Sequence, residues 1–194
     1  MKSIVLQAIH DSIAVKQAIL TDHLLVANTE QVAQHCITSF QAGGKVLFCG
    51  NGGSAADAQH LAAELSGRFF ADRPPLFAEA LHVNSSFLTA VANDYGYDAV
   101  FARMVEAAGR KGDVLIAIST SGNSPNILNT IDMAKKIGMV VVGMTGATGG
   151  KMKNDCDVLL NVPSTVTPRI QEAHILLGHI ICEIVEKVMF GQAS

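Results

Sequence analysis

His60 and Glu64 stand four residues apart in SAADAQHLAAEL, a stretch otherwise made almost entirely of small and apolar residues. At that spacing on a helix they project roughly 40° apart, on one face. A carboxylate on an apolar helix is either turned to a cleft or held in low dielectric, where its pKa rises towards what a general base needs near neutrality. Taken alone, the same pair reads equally well as a solvated surface couple. A second set lies in RIQEAHILLGHIICEIVEKVMF, where Glu172, His179, Glu183 and Glu186 share one arc of the helical wheel and the remainder is almost wholly apolar. Gln171 projects roughly 80° from His179. His174 falls in the apolar arc and reads as a packed core or interface histidine. If the two helices meet, His60, Glu64, Gln171 and His179 offer a ligand set for a metal ion, with Gln the uncommon member.

Two further stretches suit anion binding. Gly50-Asn51-Gly52-Gly53-Ser54 follows the apolar run KVLFC, and Ser119-Thr120-Ser121-Gly122-Asn123-Ser124 follows DVLIAIS. Both lead into a helix. Glycines let the backbone approach an anion, exposed N–H groups point at it, and hydroxyls donate further bonds. Either loop alone is as well explained by an ordinary turn with a good cap. Two in one chain, both at strand ends, point to a phosphate. No GxxxxGK[ST] is present, and Ala55 stands where GxGxxG requires its last glycine.

The elements that position these groups follow from periodicity. Residues 3–26 and 29–42 read as amphipathic helices, the second closed by Gly43-Gly44. KVLFC, FAEALHV, DVLIAIS, MVVVGMTG and DVLLNV read as strands. SAADAQHLAAEL reads as a helix with Ser54 as N-cap and Asp57 completing a capping-box-like pair. SSFLTAVAND and YDAVFARMVEAAG read as helices, and so does SPNILNTIDMAKKIG, capped by Ser124 with Pro125 at its first position. A last helix spans about 168–190. Apolar strands alternating with helices predict a parallel sheet covered on both faces, in one domain with an N-terminal helical arm.

Composition narrows the function classes. Of 194 residues, 49% are hydrophobic and only 16% charged, which implies apolar surface closed in an oligomer. A net charge of −3 without a Lys/Arg run argues against nucleic acid. No apolar run is long enough to span a bilayer. The first twenty residues lack a small-residue cleavage site and do not read as a signal peptide. Cys36, Cys49, Cys156 and Cys182 are scattered, as befits buried thiols of a cytosolic protein rather than a zinc cluster.

Four separated segments, CGNGGSAADAQHLAAE, VANDYGY, GDVLIAISTSGNSPNI and TPRIQEAHILLGHIICEIVE, together resemble the sugar isomerase (SIS) domain family, and more narrowly its phosphoheptose isomerases. The resemblance runs from about residue 16 to residue 190. It implies a flavodoxin-like three-layer α/β/α sandwich with a five-stranded parallel sheet. It implies a cytoplasmic homotetramer with active sites at subunit interfaces. The implied reaction converts D-sedoheptulose 7-phosphate to D-glycero-D-manno-heptose 7-phosphate, the first step towards nucleotide-activated heptose and the lipopolysaccharide core. Carried over by motif, Ser54, Ser119, Thr120, Ser121 and Ser124 bind phosphate, Asn51, Gly52 and Gly53 line the site, and Asn93 and Asp94 contact the sugar. Glu64 and His179 form the acid/base pair, and His60, Glu64, Gln171 and His179 match positions that hold Zn2+ in some members. Pro168 departs from members with an Asp there, which leaves open what binds the middle hydroxyls of the sugar. Non-catalytic relatives that regulate replication initiation are the alternative, and they lack the acid/base set. Sugar-phosphate sensors of this family usually carry a DNA-binding domain, and amino-sugar isomerases usually carry two SIS halves.

Overall fold

A computed structural model describes residues 1–191. Five strands, β1 (Val46–Gly50), β2 (Ala78–Ala80), β3 (Val114–Ile118), β4 (Val140–Thr145) and β5 (Val158–Asn161), form one parallel sheet in the order β2-β1-β3-β4-β5. This is the flavodoxin-like order, so the family-implied fold is the observed one. Alternate residues divide two cores. Val46, Phe48, Ile116, Val142 and Leu160 face α2 (His23–Gln41), α3 (Gly53–Ser66) and α7 (Thr167–Phe190). Leu47, Cys49, Leu115, Ala117 and Val141 face α4 (Ser85–Tyr95), α5 (Val100–Ala108) and α6 (Pro125–Ile137). Burial on both faces explains why the strands read as continuous apolar runs rather than alternating ones.

The sheet edges are short. β2 has three residues, and β5 has four. At the β5 edge, Asn28 on α2 donates its side-chain N–H to the Leu159 carbonyl at 3.0 Å. At the amino edge, opposite the glycine- and serine-rich loops, Asp113 is tied to Lys45 by an ion pair of 2.6 Å and accepts the backbone N–H groups of Lys45 and Arg110. The N-terminal arm differs from expectation in its break. α1 (Lys2–Thr21) stops at Asp22, whose carboxylate accepts the N–H of Leu25 and so starts α2 six residues earlier than periodicity suggested. Ile4, Val5, Leu6, Ile9, Ile13, Leu20 and Leu24 of this arm are exposed. No helix among the described residues is long and apolar enough to cross a membrane.

Two capping expectations need correction. α3 begins at Gly53, its N-cap is Gly52 with φ +56°, and Ser54 lies inside the helix, so Ser54 and Asp57 form no capping box. Ser124 does precede α6 with Pro125 next, yet its hydroxyl makes no cap bond and faces Ser119 instead.

His174 is wholly buried beneath the end of β4, with Nε2 placed 3.1 Å from the Thr145 carbonyl. Burial lowers its pKa from 6.5 to about 4, against the opposing pull of that carbonyl. Between those values the unfolded chain binds the proton and the folded chain does not, so stability falls as pH falls through that window. The loss is about 3 kcal/mol. Denaturant unfolding at pH 7 and pH 4.5 is expected to show about 2 kcal/mol of this loss in the native chain and a distinctly smaller loss in His174→Gln, which retains a donor for Thr145.

Candidate active site

In the observed order, β1 has β2 on one side and β3 on the other, so the chain reverses its direction of sheet growth between β1 and β3. Ligands of open α/β sheets bind at the carboxyl ends of strands flanking such a switch point. Cys49 pairs with Ala117 and Gly50 with Ile118, which delivers residues 50–54 and 119–124 side by side. The two loops are braced together. Asn51 Nδ2 donates to Asn126 Oδ1 at 3.0 Å, Asn126 Nδ2 returns a bond to Asn51 Oδ1 at 2.9 Å, and the Tyr97 hydroxyl adds a third at 3.1 Å. The Asn51 carboxamide thus braces the two loops at the site.

In the second loop the hydroxyls converge. Ser119 Oγ lies 3.2 Å from Ser124 Oγ and 3.5 Å from Ser121 Oγ, and Asn123 donates its N–H to Ser121 Oγ at 3.2 Å. Beside them opens a cavity of about 280 Å³ lined by Thr120, Ser121, Asn123, Gly146, Ala147, Thr148, Ser164, Thr165, Thr167 and Ile170. Gly122 makes this loop possible. It sits at φ +66°, and its Cα approaches the Gly149 carbonyl so closely that a methyl group has no room. In the first loop, Gly53 is pressed by the Gln171 carboxamide reaching over from α7.

Two turns along α3, His60 Nε2 lies 3.0 Å from Glu64 Oε1. His179 Nε2, from α7, lies 3.2 Å from His60 Nε2. The two imidazoles meet edge to face with centroids 5.0 Å apart. α7 comes this close because Gly178 lies directly on the Leu61 side chain, where any larger residue would hold the helices apart. The ligand atoms of His60, Glu64 and His179 all lie within 4.8 Å of one another, and all three residues reach solvent to some degree. Two ring nitrogens and a carboxylate oxygen form a donor set that suits Zn2+. One turn earlier, Asp57 turns a buried, unpartnered Oδ2 towards this group. Burial raises its pKa, while the nearby His60 and His179 draw it down.

The structure thus joins three of the four metal-ligand candidates, while Gln171 rests at the amino end of α3. Ser54 and Ser119 are buried at their loops, and Ser121 and Ser124 complete the hydroxyl cluster. Asn93 and Asp94 lie exposed in the last turn of α4 and bond to each other at 2.9 Å. Glu172 pairs with Arg169, Glu183 with Lys187, and Glu186 is buried, so the acidic arc of α7 divides into separate roles. Sequence reasoning missed Asn126, Tyr97, Thr148, Thr165 and Asp57 as a charge. For Asn126 the available signal was a buried-polarity conflict: an amide two residues into α6, on the face that packs the sheet.

A SIS domain profile matches residues 12–146. The chain belongs to the SIS domain family. It is 54% identical over 182 residues to the phosphoheptose isomerase of Aneurinibacillus thermoaerophilus, covering 94% of this chain and 92% of that one. It is 56% identical over 178 residues to that of Burkholderia pseudomallei, covering 92% and 90%. The solved structure of phosphoheptose isomerase from Neisseria gonorrhoeae superimposes with a TM-score of 0.90 at 46% identity, over 96% of this chain and 98% of that one. Within its family the chain groups with the phosphoheptose isomerases.

Gly122→Ala must leave the left-handed region or displace the Gly149 carbonyl, and either opens the serine loop. Titration calorimetry with inorganic phosphate is expected to show roughly tenfold weaker binding than the native chain, the equivalent of the 1–2 kcal/mol cost of that backbone conformation.

Proposed function

We propose that this protein is a ketose–aldose isomerase converting D-sedoheptulose 7-phosphate to D-glycero-D-manno-heptose 7-phosphate. The observation that carries the reading is the meeting of Glu64 and His179 from separate helices, beside two phosphate-type loops at the switch point. Identity of 54–56% to phosphoheptose isomerases over most of the chain supports the choice of substrate. The presence of the acid/base set weighs against a purely binding role.

Ser54, Ser119, Thr120, Ser121 and Ser124 hold the phosphate, with Gly52 and Gly53 lining its approach. Asn93 and Asp94 contact the sugar, and Thr165 and Thr167 of the cavity wall offer hydroxyls to its middle carbons in place of the Asp that Pro168 replaces. The phosphate contacts supply binding energy remote from the reacting carbons and hold the open chain in register. Glu64 removes a proton from C1 beside the C2 carbonyl, leaving a cis-enediolate with its negative charge on the C2 oxygen. His179 moves a proton from the C1 hydroxyl side to the C2 oxygen, and Glu64 returns its proton to C2, so the aldose forms with no net gain or loss of atoms. His60, Glu64 and His179 would hold Zn2+, which would supply polarisation of the carbonyl when bound, and Gln171 would join them only by leaving Gly53.

The exposed apolar residues of α1 support assembly, and a homotetramer of single SIS domains with sites at subunit interfaces fits them. Such an enzyme works in the cytoplasm at the first step of activated-heptose formation. Incubation of the purified protein with sedoheptulose 7-phosphate, followed by NMR, is expected to yield the aldoheptose phosphate, with a chelator reducing the rate. Glu64→Gln is expected to lower kcat by about a thousandfold. A folded protein that binds the sugar phosphate yet turns none over would replace this reading with the binding-protein one.

A further inference from the structure

Glu186 is a carboxylate with only 3% of its surface exposed, seven residues beyond His179 on α7. Seven residues are two helical turns, so the two side chains leave the same face about 10 Å apart along the axis. Its oxygens accept the backbone N–H groups of Phe69 at 3.1 Å, Phe70 at 2.8 Å and Ala71 at 2.9 Å, and the Nε–H of Arg73 at 3.0 Å. Burial alone would raise its pKa, yet these donors together hold the carboxyl below its usual range. Arg73 turns its remaining donors to the carboxyl end of α3 and, at 3.1 Å, to the Pro74 carbonyl. Nη2 donates to the Glu64 carbonyl at 2.9 Å, and Nη1 donates to those of Leu65 at 2.7 Å and Gly67 at 3.2 Å. These are the carbonyls that a helix end leaves without partners. The guanidinium also lies over the Phe190 ring, 5.5 Å from its centroid.

The contacts close a circuit. Phe69, whose N–H is held by Glu186, sets its ring 5.7 Å from the His179 ring. Glu64, which bonds His60, has its own backbone carbonyl held by Arg73. One ion pair therefore spans the helix carrying His60 and Glu64, the helix carrying His179, and the segment between them that packs on His179.

We infer that Arg73 and Glu186 are positioning residues for the isomerase reaction: their buried pair sets the distance between α3 and α7, and with it the approach of His179 to His60 and Glu64. The pair touches neither substrate nor the phosphate loops, so its loss acts on the chemical step and not on sugar-phosphate binding. A misplacement on the order of 1 Å is worth up to about a hundredfold in rate. This inference rests on the isomerase reading above.

The test compares Glu186→Gln and Arg73→Lys with Asp113→Asn, which breaks the buried Lys45–Asp113 pair at the start of β1 and β3, bonded to neither α3 nor α7, and serves as the stability control. Arg73→Lys keeps the charge but loses the fork that grips α3, and it decides the matter if Glu186→Gln does not fold. With sedoheptulose 7-phosphate, both clasp variants are expected to lose about 10–100-fold in kcat with KM within about threefold. Asp113→Asn, at a comparable loss of Tm, is expected to keep both constants within about twofold. Clasp variants that retain native kcat, lose mainly KM, or lose no more than Asp113→Asn overturn the inference. An activity-independent arm separates this failure from failure of the isomerase reading. In a crystal structure of chelator-treated Arg73→Lys, His60 and His179 are expected to draw apart from the 3.2 Å of the native chain. An unchanged separation overturns the clasp even if the native protein proves inert on this sugar.

Discussion

The pairing of β1 with β3 is the constraint on which the site depends. Strands consecutive in space but separated in sequence by α3, β2, α4 and α5 run out in register at Gly50 and Ile118. Both then release their chains into glycine- and hydroxyl-rich turns at the same level of the sheet. A parallel arrangement makes this inevitable, because every strand ends on the same edge. The Asn51–Asn126 amide pair then converts adjacency into a single rigid unit. Its reciprocal geometry satisfies donors and acceptors on both side chains, which an apolar contact at that position would leave unpaired.

α3 links the two halves of the chemistry. Its amino end closes the first anion loop, its middle carries His60 and Glu64, and its carboxyl end is gripped by Arg73. Ser54 and His60 are six residues apart, about 9 Å along the axis. A sugar phosphate has its charge and its reacting carbons at opposite ends, and the helix separates the groups proposed to hold them in the same way. α7 supplies the opposing wall. Its Gly178 lets the helix backbone settle on Leu61, and one residue later His179 meets His60.

Much of this was legible from residue type. Continuous apolar runs such as KVLFC and DVLIAIS marked doubly buried strands, and the flanking glycines and serines marked the edge where a ligand would sit. His60 and Glu64 were visible as polar residues at helical spacing on an apolar helix. Their meeting with His179 was not visible, because nothing in either helix states the angle at which they pack, and one determinant is a glycine that sequence reading treats as a weakness. Helix starts were misread for a related reason. Ser54 has the chemistry of a cap, but the positive φ of Gly52 turns the chain two residues earlier. Asp22 was overlooked because the apolar period continues across it. Glu186 and His179 share one arc of α7, and only tertiary contact assigns one to solvent-reachable chemistry and the other to a buried anchor.

The short outer strands have a consequence for how copies of this chain meet. A sheet edge with free N–H and C=O groups is a template on which any extended chain can add itself, and length makes that template effective. Here β2 offers three residues, and at β5 an Asn28 amide already occupies a carbonyl. Backbone zippering between molecules is thereby disfavoured, while the apolar side chains of the N-terminal arm lie on helices whose hydrogen bonds are internally complete. Those apolar faces can stand in solvent with little risk of seeding a fibril.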